Sequence, residues 1–268
     1  MTLAGQQQLR RPPAVLLLPA AIGLAFLFLP FVGMLVRAPW STAGHALTSA
    51  GAFTALRISL ITSTITTGVC IVIGVPIAFV LARSRFPGQR LVRALVTLPL
   101  VLPPVVGGVA LFTAFGRTGI VGVWLDRWFG IELPFTSTAV VMAQTFVALP
   151  FLVIAVEGAL RSADTRFEEA AATLGASRWT AFRRITLPLV APGVAAGAIL
   201  CWARALGEFG ATITFAGNLP GTTQTMPIDV YVTLENDPFG AIMLSLILVV
   251  VSILVLVSMR GRWIGTPA

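Results

Sequence analysis

Apolar residues dominate this chain in long stretches, and polar residues are confined to short segments between them. A helix needs about 20 mainly apolar residues to cross a bilayer. Six stretches approach or reach that length, at roughly 14–36, 58–82, 94–115, 137–156, 189–207 and 239–259. The pattern therefore predicts an all-α integral membrane protein with six transmembrane helices. Little sequence remains for a separate water-soluble domain.

Composition agrees with this prediction. The chain is 57% hydrophobic and 10% charged, with a mean hydropathy of +0.94, whereas soluble domains average roughly 45–50% apolar and 25% charged residues. The net charge of +8 could indicate a nucleic-acid partner. However, the basic residues lie at the ends of apolar stretches rather than on one amphipathic face, which is typical of a topology signal.

The arginine positions predict the orientation of the chain. With a cytoplasmic N-terminus, the cytoplasmic arginines are Arg10, Arg11, Arg83, Arg85, Arg90, Arg93, Arg161, Arg166, Arg178, Arg183, Arg184, Arg260 and Arg262. Those left outside are Arg37, Arg57, Arg117 and Arg127. This excess follows the positive-inside rule. We therefore expect both termini and the loop 157–188 in the cytoplasm, and Asp229, Glu235 and Asp237 outside.

The N-terminus allows two interpretations. Arg10 and Arg11 precede an apolar stretch in the manner of a secretory or twin-arginine signal. That stretch exceeds the usual 7–15 or so residues of a signal peptide, and no small-residue cleavage site follows it, so an uncleaved first helix is favoured. We expect a tail, first helix and external loop over 1–51, a main membrane domain over 52–262, and a short cytoplasmic tail over 263–268 with no appended regulatory domain.

Several residue types that carry chemistry are missing or isolated. Every basic residue is arginine, so a phosphate-binding G-x-x-x-x-G-K-[ST] loop and a Schiff-base lysine are both impossible. Cys70 and Cys201 lie in separate predicted helices and are expected to be small buried residues rather than a redox pair or metal ligands. His45 is the only histidine and lacks partners for a metal site or a catalytic triad. We expect no metal, no cofactor and no catalysis in this chain.

Prolines predict a bend in the third helix, and glycines predict close packing of the fifth. Segment 98–108 contains three prolines, and proline removes a backbone hydrogen bond from a helix interior. Membrane helices tolerate such breaks where neighbours or a water-filled path satisfy the freed carbonyls. The third helix is therefore predicted to be bent, either because it lines a path or because the kinks set packing angles. Gly193 and Gly197 predict close packing of the fifth helix.

A polar segment at residues 162–188, here called the elbow, has the pattern of two short helices joined by a turn. Thr165 and Glu168 fit a capping box, and an alanine run with high helix propensity follows them. Gly175 can adopt the left-handed conformation that ends a helix, and a second helix is expected from about Ser177. Such a segment could lie on anionic lipid or offer a docking surface to a soluble partner.

The spacing E-A-A-x3-G-x9-I-x-L-P over residues 169–188 resembles the cytoplasmic loop by which the membrane subunits of binding-protein-dependent ABC importers hold their ATPase partners. The resemblance implies the type I importer fold, a helix that enters a cleft on the ATPase, a turn at the glycine, and an I-x-L-P anchor to the bilayer. The docking residues that it implies are Glu168, Glu169, Ala170, Ala171, Gly175, Ile185, Leu187 and Pro188.

Segments 203–215 (ARALGEFGATITF) and 221–227 (GTTQTMP) resemble the corresponding stretches of molybdate permease subunits. Sulfate permeases share the A-R-A-x-G-E pattern but depart more after it, so a sulfate or thiosulfate importer is the alternative. The likeness covers about residues 52–259, although Thr223 and Gln224 depart from the expected pattern. It implies a homodimer, two copies of a separate ATPase that binds Mg-ATP, an external oxyanion-binding protein, and a place in a prokaryotic cell membrane.

Charged residues inside a span are rare, and they are either paired or functional. Arg204 and Glu208 are four residues apart, so they can neutralise each other on one helix face, or Arg204 can bias an anion path. A tetrahedral dianion must pass without being trapped, which favours neutral hydroxyl and backbone N–H donors. The path candidates are Thr97, Pro103, Gly107, Gly108, Thr113, Arg204, Gly207, Glu208, Phe209, Gly210, Thr212, Thr214 and Phe215, with Phe209 or Phe215 as a gate.

Two other classes of membrane protein fit less well. A channel or secondary transporter usually carries intramembrane acids or inverted repeats, and the chain has no convincing halves. A membrane-embedded enzyme needs clustered His, Asp, Glu or Cys in its spans, which this sequence lacks. The resemblance to molybdate permease subunits implies a non-catalytic permease subunit that translocates molybdate or tungstate by alternating access, with ATP hydrolysed by another chain.

Overall fold

The computed structural model describes residues 14–42, 44 and 49–263, and this part of the chain is helical without strands. The helices are α1 (Ala14–Arg37), α2 (Ala50–Arg83), α3 (Gln89–Thr97), α4 (Pro104–Phe115), α5 (Gly122–Phe129), α6 (Ser137–Ser162), α7 (Arg166–Thr173), α8 (Arg178–Ala181), α9 (Leu187–Leu206), α10 (Gly210–Phe215), α11 (Met226–Asn236) and α12 (Pro238–Trp263). A π turn, Phe182–Thr186, joins α8 to α9. Arg10, Arg11, His45 and the residues after 263 lie outside the described part.

Five helical stretches are long and apolar enough to cross a membrane: Val15–Arg37, Ala50–Arg83, Ser137–Ser162, Arg178–Leu206 and Pro238–Val257. A sixth candidate is the pair Gln89–Leu100 and Pro104–Phe115, which is bent by 115°. These stretches coincide with the six that the apolar pattern predicts. α1 leaves nearly all of its apolar side chains exposed, and contacts with α12 are made near its C-terminal end. Lipid is the solvent that suits such a surface.

The bend in the third span is much sharper than a kink. Pro103 and Pro104 have no backbone N–H, and each disfavours helical geometry in the residue before it. Pro103 is accordingly extended, with φ −54° and ψ 133°, and α4 starts at Pro104, where a missing N–H is harmless. The 12 residues of α4 extend only about 18 Å, less than the thickness of a bilayer core. The predicted bend is confirmed.

Helices extend further into the polar segments than the apolar pattern predicts. α6 continues to Ser162, and α8, the π turn and α9 form one helical stretch from Arg178. Within 157–188, only 163–165 and 174–177 are non-helical. The reason is that helix formation needs backbone hydrogen bonds and not apolar side chains, so the spans continue as helices beyond the apolar stretches.

The predicted capping box of α7 is wrong. The Thr165 side chain accepts no capping hydrogen bond. Instead, Asp164 Oδ1 accepts from the Arg166 backbone N–H at 2.9 Å, so an aspartate one residue earlier satisfies a free N–H of the first turn. The predicted end of the helix is confirmed, because Gly175 has φ +82°, a left-handed conformation that favours glycine.

α2, α6 and α9 supply most of the main buried cluster. A Cβ on Gly197 would lie 3.0 Å from the Cβ of Ala155, and a Cβ on Gly193 would overlap α6. α9 therefore packs directly on α6, as the glycine spacing predicts. Cys70 and Cys201 are free and fully buried in the same cluster, which confirms that they are core residues, although the fold brings them together from distant positions.

Candidate functional site

The elbow presents only part of the docking set to solvent. The exposed members are Glu169, Ala170, Gly175 and Pro188. The buried or half-buried members are Glu168, Ala171, Ile185 and Leu187. Ala171 faces inward and Ala170 leaves the outer side of α7 free of bulk, so a partner could approach the α7 backbone closely.

Three large apolar side chains add to this surface, and the docking set predicted from the sequence does not include them. Phe167, Leu174 and Trp179 are 58%, 87% and 67% exposed in an otherwise polar segment. Trp179 also lines a cavity of about 660 Å³ that lies between the end of α2 and the elbow. Three large exposed apolar side chains within residues 167–179 fit a protein-contact surface. Their signal in the sequence is that they fall in the polar elbow, outside the membrane stretches.

Glu168 turns away from this surface and bridges three elements. Its Oε1 atom accepts a hydrogen bond from Arg83 Nη2 at 3.0 Å and another from Thr186 Oγ1 at 2.9 Å. Arg83 ends α2, and Thr186 is the last residue of the π turn before α9. Glu168 thus connects α7 to two membrane helices.

A second charged cluster lies near the elbow. Glu157 Oε1 accepts from Arg93 Nη2 at 2.7 Å and from Arg161 Nη2 at 2.8 Å. Arg93 also donates to the Leu81 carbonyl oxygen at 3.2 Å, so the cluster joins α3, α6 and α2. Sequence spacing reveals only the Glu157–Arg161 pair, because Arg93 is 64 positions from Glu157.

The path candidates on α4 and α10 come together in one tight contact. A Cβ on Gly108 would lie 2.7 Å from Thr214 Cβ and 2.9 Å from the Ala211 carbonyl oxygen. A Cβ on Gly210 would lie 2.9 Å from Pro104 Cβ. Gly108 and Gly210 therefore act as packing positions that allow the two short helices to touch.

Arg204 and Glu208 form the ion pair that their spacing predicts. Arg204 Nη2 lies 2.6 Å from Glu208 Oε2, and the Glu208 side chain is 1% exposed. The other carboxylate oxygen accepts from the Ala211 backbone N–H at 2.8 Å, which caps the start of α10. Glu208 therefore holds the junction between α9 and α10.

Several hydroxyls do not fit the expected role of free anion donors. Thr97, Thr113 and Thr214 donate to the backbone carbonyls of Arg93, Val109 and Gly210 at 3.0, 2.9 and 2.7 Å. A hydroxyl has one hydrogen to donate, so these groups present acceptor oxygens to any passing anion in this conformation.

The remaining path candidates differ in their access to solvent. Thr212 and Phe215 are fully buried, the latter within a cluster between α4, α6 and α10, so neither reaches a cargo in this conformation. Phe209 is half-buried beside Tyr231, with ring centroids 5.0 Å apart. Of the two gate candidates, Phe209 alone has exposed surface. The other candidates with accessible surface are Pro103, Arg204 and Gly207, whereas Gly107 is buried.

The two residues that depart from the expected pattern stabilise the segment before α11. Thr223 is fully buried, and its Oγ1 accepts from the Leu219 backbone N–H at 2.9 Å. Gln224 Nε2 donates to Asp229 Oδ1 at 3.4 Å. Burial raises the pKa of the Asp229 carboxyl, which lies outside the membrane-spanning helices. Both departures are thus accommodated by local structure.

Comparison with known proteins places this architecture in a family. Residues 74–261 match the model of the binding-protein-dependent transport system inner membrane component family. The molybdenum transport system permease protein ModB of Mycobacterium tuberculosis is 49% identical over 255 residues, which cover 95% of this chain and 96% of that protein. The Escherichia coli K12 protein of the same name is 47% identical over 167 residues, covering 62% and 72%.

Two further similarities define the breadth of the relationship. The sulfate transport system permease protein CysT of Escherichia coli K12 is 34% identical over 210 residues, covering 78% of this chain and 76% of that protein. A chain of a bacterial alginate ABC transporter has the same fold, with a TM-score of 0.74, 19% identity and 95% coverage of both chains. The predicted importer-permease fold is confirmed.

Proposed function

The chain belongs to the family of binding-protein-dependent transport system inner membrane components, and from this membership we propose that it is the permease subunit of an ATP-driven importer of molybdate. The observation that supports molybdate as the substrate is the 49% identity to a molybdenum permease along 95% of the chain. The sulfate permease is more distant, at 34% identity. Tungstate is a second cargo of the same shape and charge, and sulfate or thiosulfate is the alternative.

The chain is a multi-pass membrane protein of a transport family, and its role within the importer is non-catalytic. It contains no lysine for a phosphate-binding loop. We infer that a separate ATPase binds Mg-ATP, that two ATPase copies serve a homodimer of this chain, and that an external oxyanion-binding protein delivers the cargo.

We infer that the elbow faces the cytoplasm and receives the ATPase. Arg83, Arg93 and Arg161 gather beside it through the two charged clusters, and a concentration of arginines marks the cytoplasmic side of a membrane protein. Exposed Glu169 and Ala170 on α7, with the apolar side chains of Leu174 and Trp179, supply the contact surface. Both termini then lie in the cytoplasm.

Cargo movement follows from rigid-body motion of the helices. Closure of the ATPase pair moves the elbow, and the spans packed on it tilt between an outward-open and an inward-open arrangement. α9, α10 and α4 meet at a junction that is held by Glu208 and by the Gly108 contact. Among the path candidates, these residues are the most closely packed, and the junction forms part of the proposed path wall. Arg204 supplies positive charge there, and its ion pair with Glu208 partly neutralises that charge.

Gly175→Asp tests the docking role. Gly175 is exposed, a Cβ added there would have no neighbouring atom within 4 Å, and aspartate tolerates the left-handed conformation better than most residues. The variant should insert in the membrane normally, yet it should no longer copurify with the ATPase or support uptake, because a charged side chain occupies the contact surface. Wild-type uptake by this variant would rule out docking at the turn.

Competition measurements test the cargo. Uptake of radiolabelled molybdate by the complete importer should be blocked by excess unlabelled molybdate or tungstate and little affected by the same excess of sulfate. Block by sulfate alone would favour the sulfate alternative.

A further inference from the structure

Glu168 has a contact pattern that separates it from the rest of the docking set. It is half-buried, and one carboxylate oxygen accepts hydrogen bonds from both Arg83 and Thr186. Its neighbour Glu169 is exposed, and its carboxylate has no hydrogen bond or ion pair among the described residues. Adjacent acids on α7 thus differ in their surroundings, because Glu169 is exposed to solvent and Glu168 is bonded to Arg83 and Thr186.

The bridge spans a groove between α2 and the elbow, beside the edge-to-face contact of Phe79 with Phe182. α7 is tethered by two short non-helical segments, 163–165 and 174–177, and packs on α8 and the π turn. A cavity of about 660 Å³ opens between α2 and the elbow, and Arg83, Glu168 and Thr186 all lie on its wall. The Arg83–Glu168 ion pair spans this gap directly.

The bridge also connects α7 to helices that form the main core. Arg83 is the last residue of α2, and Thr186, which is 1% exposed, immediately precedes α9. α2 and α9 pack on each other and on α6 through that core. A displacement of α7 therefore reaches α2 and α9 directly through this side chain, in addition to the packing of α7 on the π turn.

From this arrangement we propose that Glu168 is a positioning residue that transmits the movement of α7 to α2 and α9, and that it is not a contact of the ATPase. The inference rests on the proposed function, because it assigns to Glu168 the task of carrying the movement that ATP hydrolysis generates. Arg83 and Thr186 become the receiving groups on the two spans. Without the bridge, α7 still presents Glu169 and Ala170 to the partner. However, it loses the hydrogen bonds that couple its movement to Arg83 and Thr186.

The test uses the full complex reconstituted with its ATPase and external binding protein. Glu168→Gln should keep the copurified amount of ATPase and its hydrolysis rate near wild type. Uptake of radiolabelled molybdate should fall by about fivefold, because the neutral amide can still accept hydrogen bonds but forms no ion pair with Arg83, and a charge-assisted hydrogen bond is roughly twice as strong as a neutral one. The ratio of ATP hydrolysed to molybdate transported should rise accordingly.

Two further variants separate positioning from loss of folding. The exchange Glu168→Arg with Arg83→Glu rebuilds the ion pair in reverse and should restore part of the uptake that Glu168→Arg alone loses. The matched control is Arg161→Gln, which removes an arginine–glutamate contact near the elbow while Glu157 keeps Arg93. That control should keep the wild-type ratio of hydrolysis to transport.

Three outcomes would overturn the inference. Wild-type uptake by Glu168→Gln would show that the bridge carries no movement. Loss of ATPase copurification from Glu168→Gln would make Glu168 a contact of the partner. Failure of the exchange variant, when it copurifies with the ATPase, would remove Arg83 as the receiving group. If the wild-type chain itself binds no ATPase, the proposed function fails instead, and the inference falls with it for that separate reason.

Discussion

Glu208 joins two helices through two oxygens, one bound to Arg204 and one to the N–H of Ala211. Because the carboxylate is almost fully buried, its charge depends on the arginine for compensation. Removal of one partner from a buried ion pair leaves an uncompensated charge, which costs about 3–5 kcal/mol. The pair is therefore a structural requirement before it is a feature of any path.

Arg204→Met should destabilise the protein strongly in thermal unfolding in detergent, by an amount on the order of that penalty. Glu208→Gln should lower the melting temperature less, because the amide oxygen still accepts from Ala211 and Arg204 retains access to solvent. The double variant should lie close to Glu208→Gln. Equal melting temperatures for Arg204→Met and the wild type would contradict the buried-pair account.

Asp229, in the first turn of α11, provides a pH-dependent test. Burial raises its folded-state pKa above the ordinary value of 3.8. The folded protein thus holds this proton more tightly than the unfolded chain, and the associated stability is lost as pH rises through the folded-state pKa. Asp229→Asn should therefore melt at a higher temperature than wild type at pH 7, and this advantage should shrink as the pH falls toward 3.8. A constant difference across this range would contradict the assignment.

At the scale of elements, the contact between α4 and α10 is the most demanding packing in the candidate path. A side chain at Gly108 meets the backbone of α10, which cannot move aside cheaply. Gly108→Ala should therefore destabilise the protein by about 1–3 kcal/mol and reduce uptake. Gly68→Ala on α2 is the control, since no atom lies within 4 Å of the corresponding Cβ. Equal uptake and equal melting temperatures for the two variants would contradict the close contact.

The sequence predicts the elements of this fold well because their signal is local. Apolar length predicts the spans, the prolines at 103 and 104 predict the bend, and Gly175 predicts the end of α7. Helix ends are less predictable, since polar turns continue α6, and α8 with the π turn precedes α9, without a break in the helix. The capping error at Thr165 has a local origin, because the side chain of Asp164, and not that of Thr165, accepts from an N–H group at the start of α7.

The candidate site is predictable only in part. The resemblance at 169–188 identifies the elbow, but it does not separate the direction of Glu168 from that of Glu169. That direction depends on Arg83, which is 85 positions away in the sequence. The hydroxyls of Thr97, Thr113 and Thr214 differ from the prediction for a local reason, because backbone carbonyls four residues earlier in the chain accept their hydrogens.

At the scale of the whole molecule, the proposed docking surface and the proposed path wall lie at different ends of α9. The elbow carries the exposed acid and apolar side chains at the end where Arg83 closes α2. The α4–α10 contact and the Glu208 junction lie at the opposite end of α9 from the elbow. The continuous helical stretch from Arg178 to Leu206 connects them, so movement at one end can change packing at the other.

The most direct measurement is uptake of radiolabelled molybdate into proteoliposomes that contain this chain with and without its ATPase. With the ATPase present, ATP on its side and the oxyanion-binding protein on the other, molybdate should accumulate against its gradient. Omission of the ATPase, of ATP or of the binding protein should each abolish accumulation. Transport of molybdate by the purified chain alone would contradict the claim that the elbow receives the work of a separate ATPase.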